Sequence, residues 1–322
     1  MFFRRSYDIK RREGLHFVKR GLESVKIRDL CAIFSLAALW GASFLFMRIA
    51  SPVLGPLITI ESRVIIAAFG LILYLIIIKS SVQLKKWWKE YLIIGALNAA
   101  LPFTMIATAE LHLDASMSSI LNSLTPLCTA LVVWIWLKQT LSIKKWVGII
   151  VGIIGVIILV GLSPIEFTKV TILSIGLSIL STVCYGIAGV YAKKTFTNTT
   201  PLSLAVGQQL GAAVVLLPFS FIYIPRSIVT ITPVVVYSII ALALLCTSAA
   251  YLLYFYLLNR VGPTNTLSVT LLVPVFGMIW GALFLNEIIT FNMVIGLLII
   301  ISSILMIYDV PLNITRKKRV HH

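Results

Sequence analysis

Ten apolar runs follow one another along this chain with only short polar or basic loops between them, each near the roughly 20 residues that a helix needs to cross a hydrocarbon core. They run Leu30 to Ile49, Pro56 to Ile78, Tyr91 to Ala109, Ala115 to Leu137, Trp146 to Leu162, Ile172 to Ala192, Leu202 to Ile222, Val234 to Leu258, Thr264 to Leu285, and Phe291 to Tyr308. With 59% hydrophobic and 12% charged residues, the chain has more apolar surface than a water-soluble globule could hide. The fold class is an all-α polytopic membrane protein. Its four cysteines, Cys31, Cys128, Cys184 and Cys246, fall inside the runs, where they behave as small apolar residues rather than metal or redox groups.

A formal net charge of +16 would suggest nucleic acid in a soluble protein, but here the position of the charge excludes that partner. Nearly all of the 27 Lys and Arg residues lie in the tails and in loops that would share one face of the bilayer. Lys169 and Arg226 lie on the other face, and Arg48 and Arg63 lie within runs. The positive-inside rule then places both termini in the cytoplasm, which requires an even number of spans. The basic residues 1–28 read as a cytoplasmic tail, not a removable signal, and 310–322 as a second basic tail. Terminal His321 and His322 carry no assigned role.

The runs are also duplicated. Pro126 precedes Gln139 by 13 residues and Gly148 by 22, and Pro274 precedes Glu287 and Gly296 by the same intervals. An earlier pair, Trp40-Gly41 with Arg48 and Tyr185-Gly186 with Lys193, repeats at an offset of 145 instead of 148, which implies a three-residue indel. Two five-helix repeats are expected, at residues 29–162 and 163–309. An odd number of spans per repeat makes the second enter the membrane from the opposite face, so the repeats are inverted, as in many carriers.

Midspan prolines deprive the carbonyls four residues earlier, those of Asn122 and Thr270, of their helical partners, and such groups should face protein, water or a solute. Pro126 and Pro274 are thus expected helix breaks. Polar and aromatic residues at similar depth make a cavity set: Trp40, Ser43, Asn98, Asn122, Thr125, Tyr185, Thr247, Tyr251, Ser268 and Thr270. Arg48, Glu61 and Arg63 are costly inside a membrane and are expected near its outer face, as a gate or ion pair, with Arg48–Glu61 the favoured pairing. No acid lies deep enough to nominate as a proton carrier. Gly148, Gly152 and Gly155, and Gly207 and Gly211, offer close-packing faces for an internal helix or for a second copy in a homodimer.

The segment WGASFLFMRIA at Trp40, Arg63, the Leu-Thr-Pro-Leu and Leu-Val-Pro-Val steps, and Asn286-Glu287 together resemble EamA-type members of the drug/metabolite transporter superfamily. The resemblance implies a ten-helix, inverted-repeat permease of the inner membrane, without a cofactor, whose partners are the lipid bilayer and a small organic solute such as an amino acid or nucleoside, often exported. Where the family usually has Glu at the end of span four, this chain has Gln139. An intramembrane enzyme is disfavoured: Gly41-Ala42-Ser43 is followed by Phe44, unlike a rhomboid serine motif, and neither HExxH nor a Gly-rich phosphate loop is present. A scaffold or signalling protein and a channel are the remaining alternatives, and the duplicated broken helices favour a carrier over a channel.

Overall fold

A computed structural model of the chain describes residues 27–161, 166–197, 199–222 and 231–308. Nearly all of both basic tails, His321 and His322 included, and Arg226 lie outside the described residues. Among those described, eight helices are long and apolar enough to cross a membrane. They are α1 (Ile27–Leu54), α2 (Pro56–Ile77), α3 (Leu84–Ala109), α4 (Ala115–Leu137), α5 (Ile143–Gly161), α6 (Lys169–Thr195), α7 (Pro201–Ile222) and α8 (Pro233–Arg260). Two shorter apolar helices follow: α9, built from Gly262–Leu267 and Val269–Leu285, and α10 (Phe291–Ile307).

The helix ends follow local chemistry. Gly55, at φ 80°, turns the chain out of α1, and Pro56 opens α2 where its missing N–H costs nothing. Lys138 and Asn286, at equivalent places 148 residues apart, end α4 and α9 with the same left-handed φ of 55°. Thr290 Oγ1 caps α10 by accepting from Met293 N–H at 3.3 Å, and Ser142 Oγ caps α5 by accepting from Lys145 N–H at 3.4 Å, again 148 apart. Asp29, buried in the first turn of α1, accepts from Tyr256 Oη at 3.0 Å and lies 3.8 Å from Arg260 Nε, which ties the start of α1 to the end of α8.

Irregular turns recur at matching positions. α3 widens into a π-helical stretch at Ala96–Ala100 and α8 at Ala241–Ala249, beginning 145 residues apart. α4 is interrupted at Ser123 and Leu124, just before Thr125-Pro126, and α9 at Ser268. The expected break near Pro274 therefore falls one and a half turns earlier, and α9 runs on through the proline. The carbonyl of Asn122 does not stay spare either: the Thr125 hydroxyl donates to it at 2.8 Å, so the chain supplies its own partner.

Helix partners come in exchanged couples. α1 packs on α9 and α6 on α4, α3 on α7 and α8 on α2, while α5 lies along α10. Gly41 of α1 meets Phe276 and Gly277 of α9, where an added Cβ would stand 2.7 Å from Phe276 Cβ, and Gly186 of α6 meets Cys128 and Thr129 of α4. The glycine faces predicted on α5 and α7 are occupied within the chain, by α10 and by Tyr91 of α3. Large apolar side chains such as Phe69, Ile150, Ile157, Leu217 and Phe221 remain exposed around the bundle, a belt suited to lipid and not to water.

Candidate functional site

Helices from both halves surround a central cavity of about 380 Å³. From α1 come Trp40, Ser43, Phe44 and Met47; from α3, Asn98, Phe103 and Ile106. The interrupted segment of α4 supplies Asn122, Thr125 and Pro126, and α9 supplies Thr266, Thr270 and Pro274. Tyr185 of α6 and Thr247, Tyr251 and Tyr254 of α8 complete most of the wall. Nine of the ten residues expected in a cavity thus converge on one space, drawn from six helices. Ser268 does not line it. Because it stands at the break in α9, its hydroxyl turns back to the Asn265 carbonyl at 2.6 Å.

The π-helical turns aim two of these groups. Asn98 lies in the widened turn of α3 and Thr247 in that of α8. Asn98 Nδ2 donates to Gln208 Oε1 at 2.8 Å, and Gln208 Nε2 donates to Tyr251 Oη, a chain of amide and phenol that fixes one wall. Thr247 Oγ1 bonds the Leu242 carbonyl five residues back at 2.9 Å and accepts from Arg63 Nε at 3.0 Å. Asn122 Oδ1 is buried without a hydrogen-bond partner.

Arg63 is the largest departure from the sequence expectation. Instead of joining a gate at the membrane face, it lies 4% exposed in the cavity wall. Its guanidinium stacks 3.8 Å above the centre of the Phe103 ring, and Nη1 lies 3.6 Å from Met47 Sδ. No carboxylate among the described residues lies within ion-pair distance of it. Depth along a helix was readable, but the face was not.

Arg48 and Glu61 do not pair either. Arg48 Nη1 donates to the Glu110 carbonyl oxygen at the end of α3, beside Asp114 and Glu287. Both Glu61 carboxyl oxygens are buried and without a hydrogen-bond partner. The α4 and α9 ends are joined here by Glu287, just past α9. Its carboxylate accepts from Ala115 N–H at 2.7 Å, from Ser116 N–H at 2.9 Å and from the Ser116 hydroxyl, so it sits on the positive end of α4. Gly281 makes the room, since a Cβ there would overlap the same carboxylate.

Burial, with Glu287 beside it, pushes the Asp114 carboxyl above its ordinary range, against the opposite pull of Arg48. At the opposite end, Gln139 occupies the equivalent place past α4, yet it is exposed and makes no hydrogen bond among the described residues. The cavity wall reaches Thr266, near the start of α9 at that end, and includes Ser119, which packs on Gly277 toward the Glu287 end. In the sequence, Glu287 stands out only by its register with Pro274 and by its place in the family resemblance. Its identity as a clasp depends on a contact between residues 171 positions apart.

Comparison with known proteins agrees with this architecture. A model of the EamA-like transporter family matches twice, over residues 28–161 and 172–309. The uncharacterized transporter YoaV of Bacillus subtilis is 25% identical over 281 residues, covering 87% of this chain and 96% of the relative. A probable amino-acid metabolite efflux pump of Escherichia coli is 23% identical over 277 residues, covering 84% and 91%. One crystal structure superposes with a TM-score of 0.62 at 15% identity, covering 87% of this chain and 96% of that one, which is a likeness of fold. The chain, a multi-pass membrane protein, belongs to the EamA-like transporter family of the drug/metabolite transporter superfamily.

Proposed function

We propose that this chain is a secondary carrier that moves a small organic metabolite across the plasma membrane by alternating access, with export the favoured direction. The single observation that carries the reading is a polar and aromatic cavity at the centre of the bundle, clasped at one end by Glu287 and reaching toward the other. Ten spans in two inverted five-helix units account for the recurrences at 145 and 148 residues and for the exchanged helix couples. With both termini cytoplasmic, the clasp lies on the outer face and the cavity is directed inward. Arg63 suits a solute that brings its own carboxylate, and the surrounding rings suit one with an apolar body, consistent with the name of the Escherichia coli relative.

The test begins with a thermal-shift screen of the purified protein against metabolites, followed by flux of the best stabiliser in proteoliposomes. Asn122→Ala and Thr247→Val should each cut that flux by about tenfold or more, as expected when a buried polar contact worth about 1.5 kcal/mol is lost. Unchanged flux in both would place the solute elsewhere. A protein that no solute stabilises, and that moves none, would instead be a scaffold.

A further inference from the structure

One buried acid has no part in the site described above. Glu110 stands one residue past α3, at the clasp end, and is 0% exposed. Neither carboxyl oxygen has a hydrogen-bond partner, although Arg48 bonds the carbonyl oxygen of the same residue. An ionised carboxylate left so would be very costly, whereas the neutral acid is tolerable. Burial accordingly pushes this carboxyl well above the usual carboxylate range, and Glu287 adds to the push while Arg48 and Arg63 oppose it.

The charged groups facing it are therefore Arg48 from α1, Arg63 from α2 and Glu287 beyond α9. Asp114 and the exposed His112 lie in the loop that follows. The titratable groups of α6, which packs along α3, are Lys169, Cys184, Tyr185, Tyr191, Lys193 and Lys194, and none of them acts on Glu110. Glu61, the other buried acid without a hydrogen-bond partner among the described residues, is not among its charged neighbours.

We propose that Glu110 is a proton-binding site that couples closure of the clasp to the acidity of the solution on that side: the carboxyl holds a proton while the clasp is shut and yields it to water when the clasp opens. The inference rests on the alternating-access reading only in requiring that the clasp open. In the open state the carboxyl meets solvent and returns to the ordinary carboxylate range. The closed state, whose value is raised, is fully favoured below that range and loses ground as pH rises toward the raised value. Across that window each pH unit multiplies the ratio of open to closed by up to about tenfold.

The test places spin labels at His112→Cys and Ile288→Cys, both exposed and on opposite sides of the clasp, after Cys31, Cys128, Cys184 and Cys246 are replaced by serine or alanine. The His112 change also removes the one histidine among the described residues. Distances are measured in nanodiscs from about pH 5 to pH 8, a range chosen to lie above the ordinary carboxyl value. The long-distance population should grow several-fold with pH in this parent, stay small throughout in Glu110→Gln, and respond with a shifted midpoint in Glu110→Asp. Glu61→Gln should behave as the parent.

Equal melting temperatures of parent and Glu110→Gln at the acid end would show that the glutamine variant is folded. A pH response that survives in Glu110→Gln, or that disappears in Glu61→Gln instead, would overturn the inference while leaving the carrier reading intact. A clasp that stays short in the parent and in Glu287→Ala at every pH would overturn both.

Discussion

The two ends of the α4–α9 pair are built from the same backbone and behave differently. Past α9, the left-handed Asn286 presents Glu287, which accepts from Ala115 and Ser116; past α4, the left-handed Lys138 presents Gln139, which is exposed. At the first end Gly281 leaves space for the carboxylate, and at the second the equivalent position is Val133. A carboxylate on a helix N-terminus gains from charge-assisted bonds and from the helix dipole, and a neutral amide gains less. Duplication thus supplies two matching helix ends, and at only one of them does a carboxylate accept from the neighbouring helix among the described residues.

Removing that acid should have the largest effect. Glu287→Ala leaves the Ala115 and Ser116 N–H groups without their acceptor, a loss of about 2 kcal/mol, or roughly thirtyfold in the balance between closed and open clasp. The separation of labels at positions 112 and 288 should lengthen, and the melting temperature should fall. An unchanged separation would mean that packing of Gly277 on Ser119, not the carboxylate, holds this end.

The converse substitution sharpens the comparison. Gln139→Glu gives the second end the acid it lacks, and a charge at the first turn of a neighbouring helix is worth about 0.3–1 kcal/mol. Labels at Thr140→Cys and Asn259→Cys, both exposed beside that end, should draw together in a larger fraction of molecules. If they do not, Val133 or the start of α9 obstructs the equivalent seat, and the asymmetry lies in space as well as in charge.

How much of this was legible follows from what a sequence encodes about a membrane helix. Depth is readable, because each apolar run has a start and a length. Polar residues at middle depth therefore announced the cavity wall, and the proline registers announced the duplication. Direction around the helix is not readable when lipid-facing and protein-facing sides are equally apolar, so the sequence points Arg63 to an outer gate and Arg48 to Glu61, whereas the structure turns Arg63 into the cavity wall and Arg48 onto the Glu110 carbonyl. Glu110 is inconspicuous in the sequence for a related reason. It ends an apolar run, where an acid ordinarily meets headgroups and water, and only the fold, which brings Arg48 of α1 onto its carbonyl oxygen, buries it. The π-helical turns in α3 and α8 left no mark in composition, yet they set the aim of Asn98 and Thr247.

The smallest expected effect is a control on the comparison itself. Ser142 and Thr290 cap α5 and α10 with hydroxyls at 3.4 and 3.3 Å, equivalent positions with nearly equal geometry. Bonds this long belong at the weak end of the capping range, so Ser142→Ala and Thr290→Ala should each cost about 0.5 kcal/mol. Equal small falls in melting temperature, with label distances at both ends unchanged, would confine the asymmetry to Glu287 and Gln139. A much larger fall for Thr290→Ala would carry it into the loop that holds Glu287 in place, three residues away, and the clasp would then be a property of the whole α9–α10 turn rather than of one carboxylate.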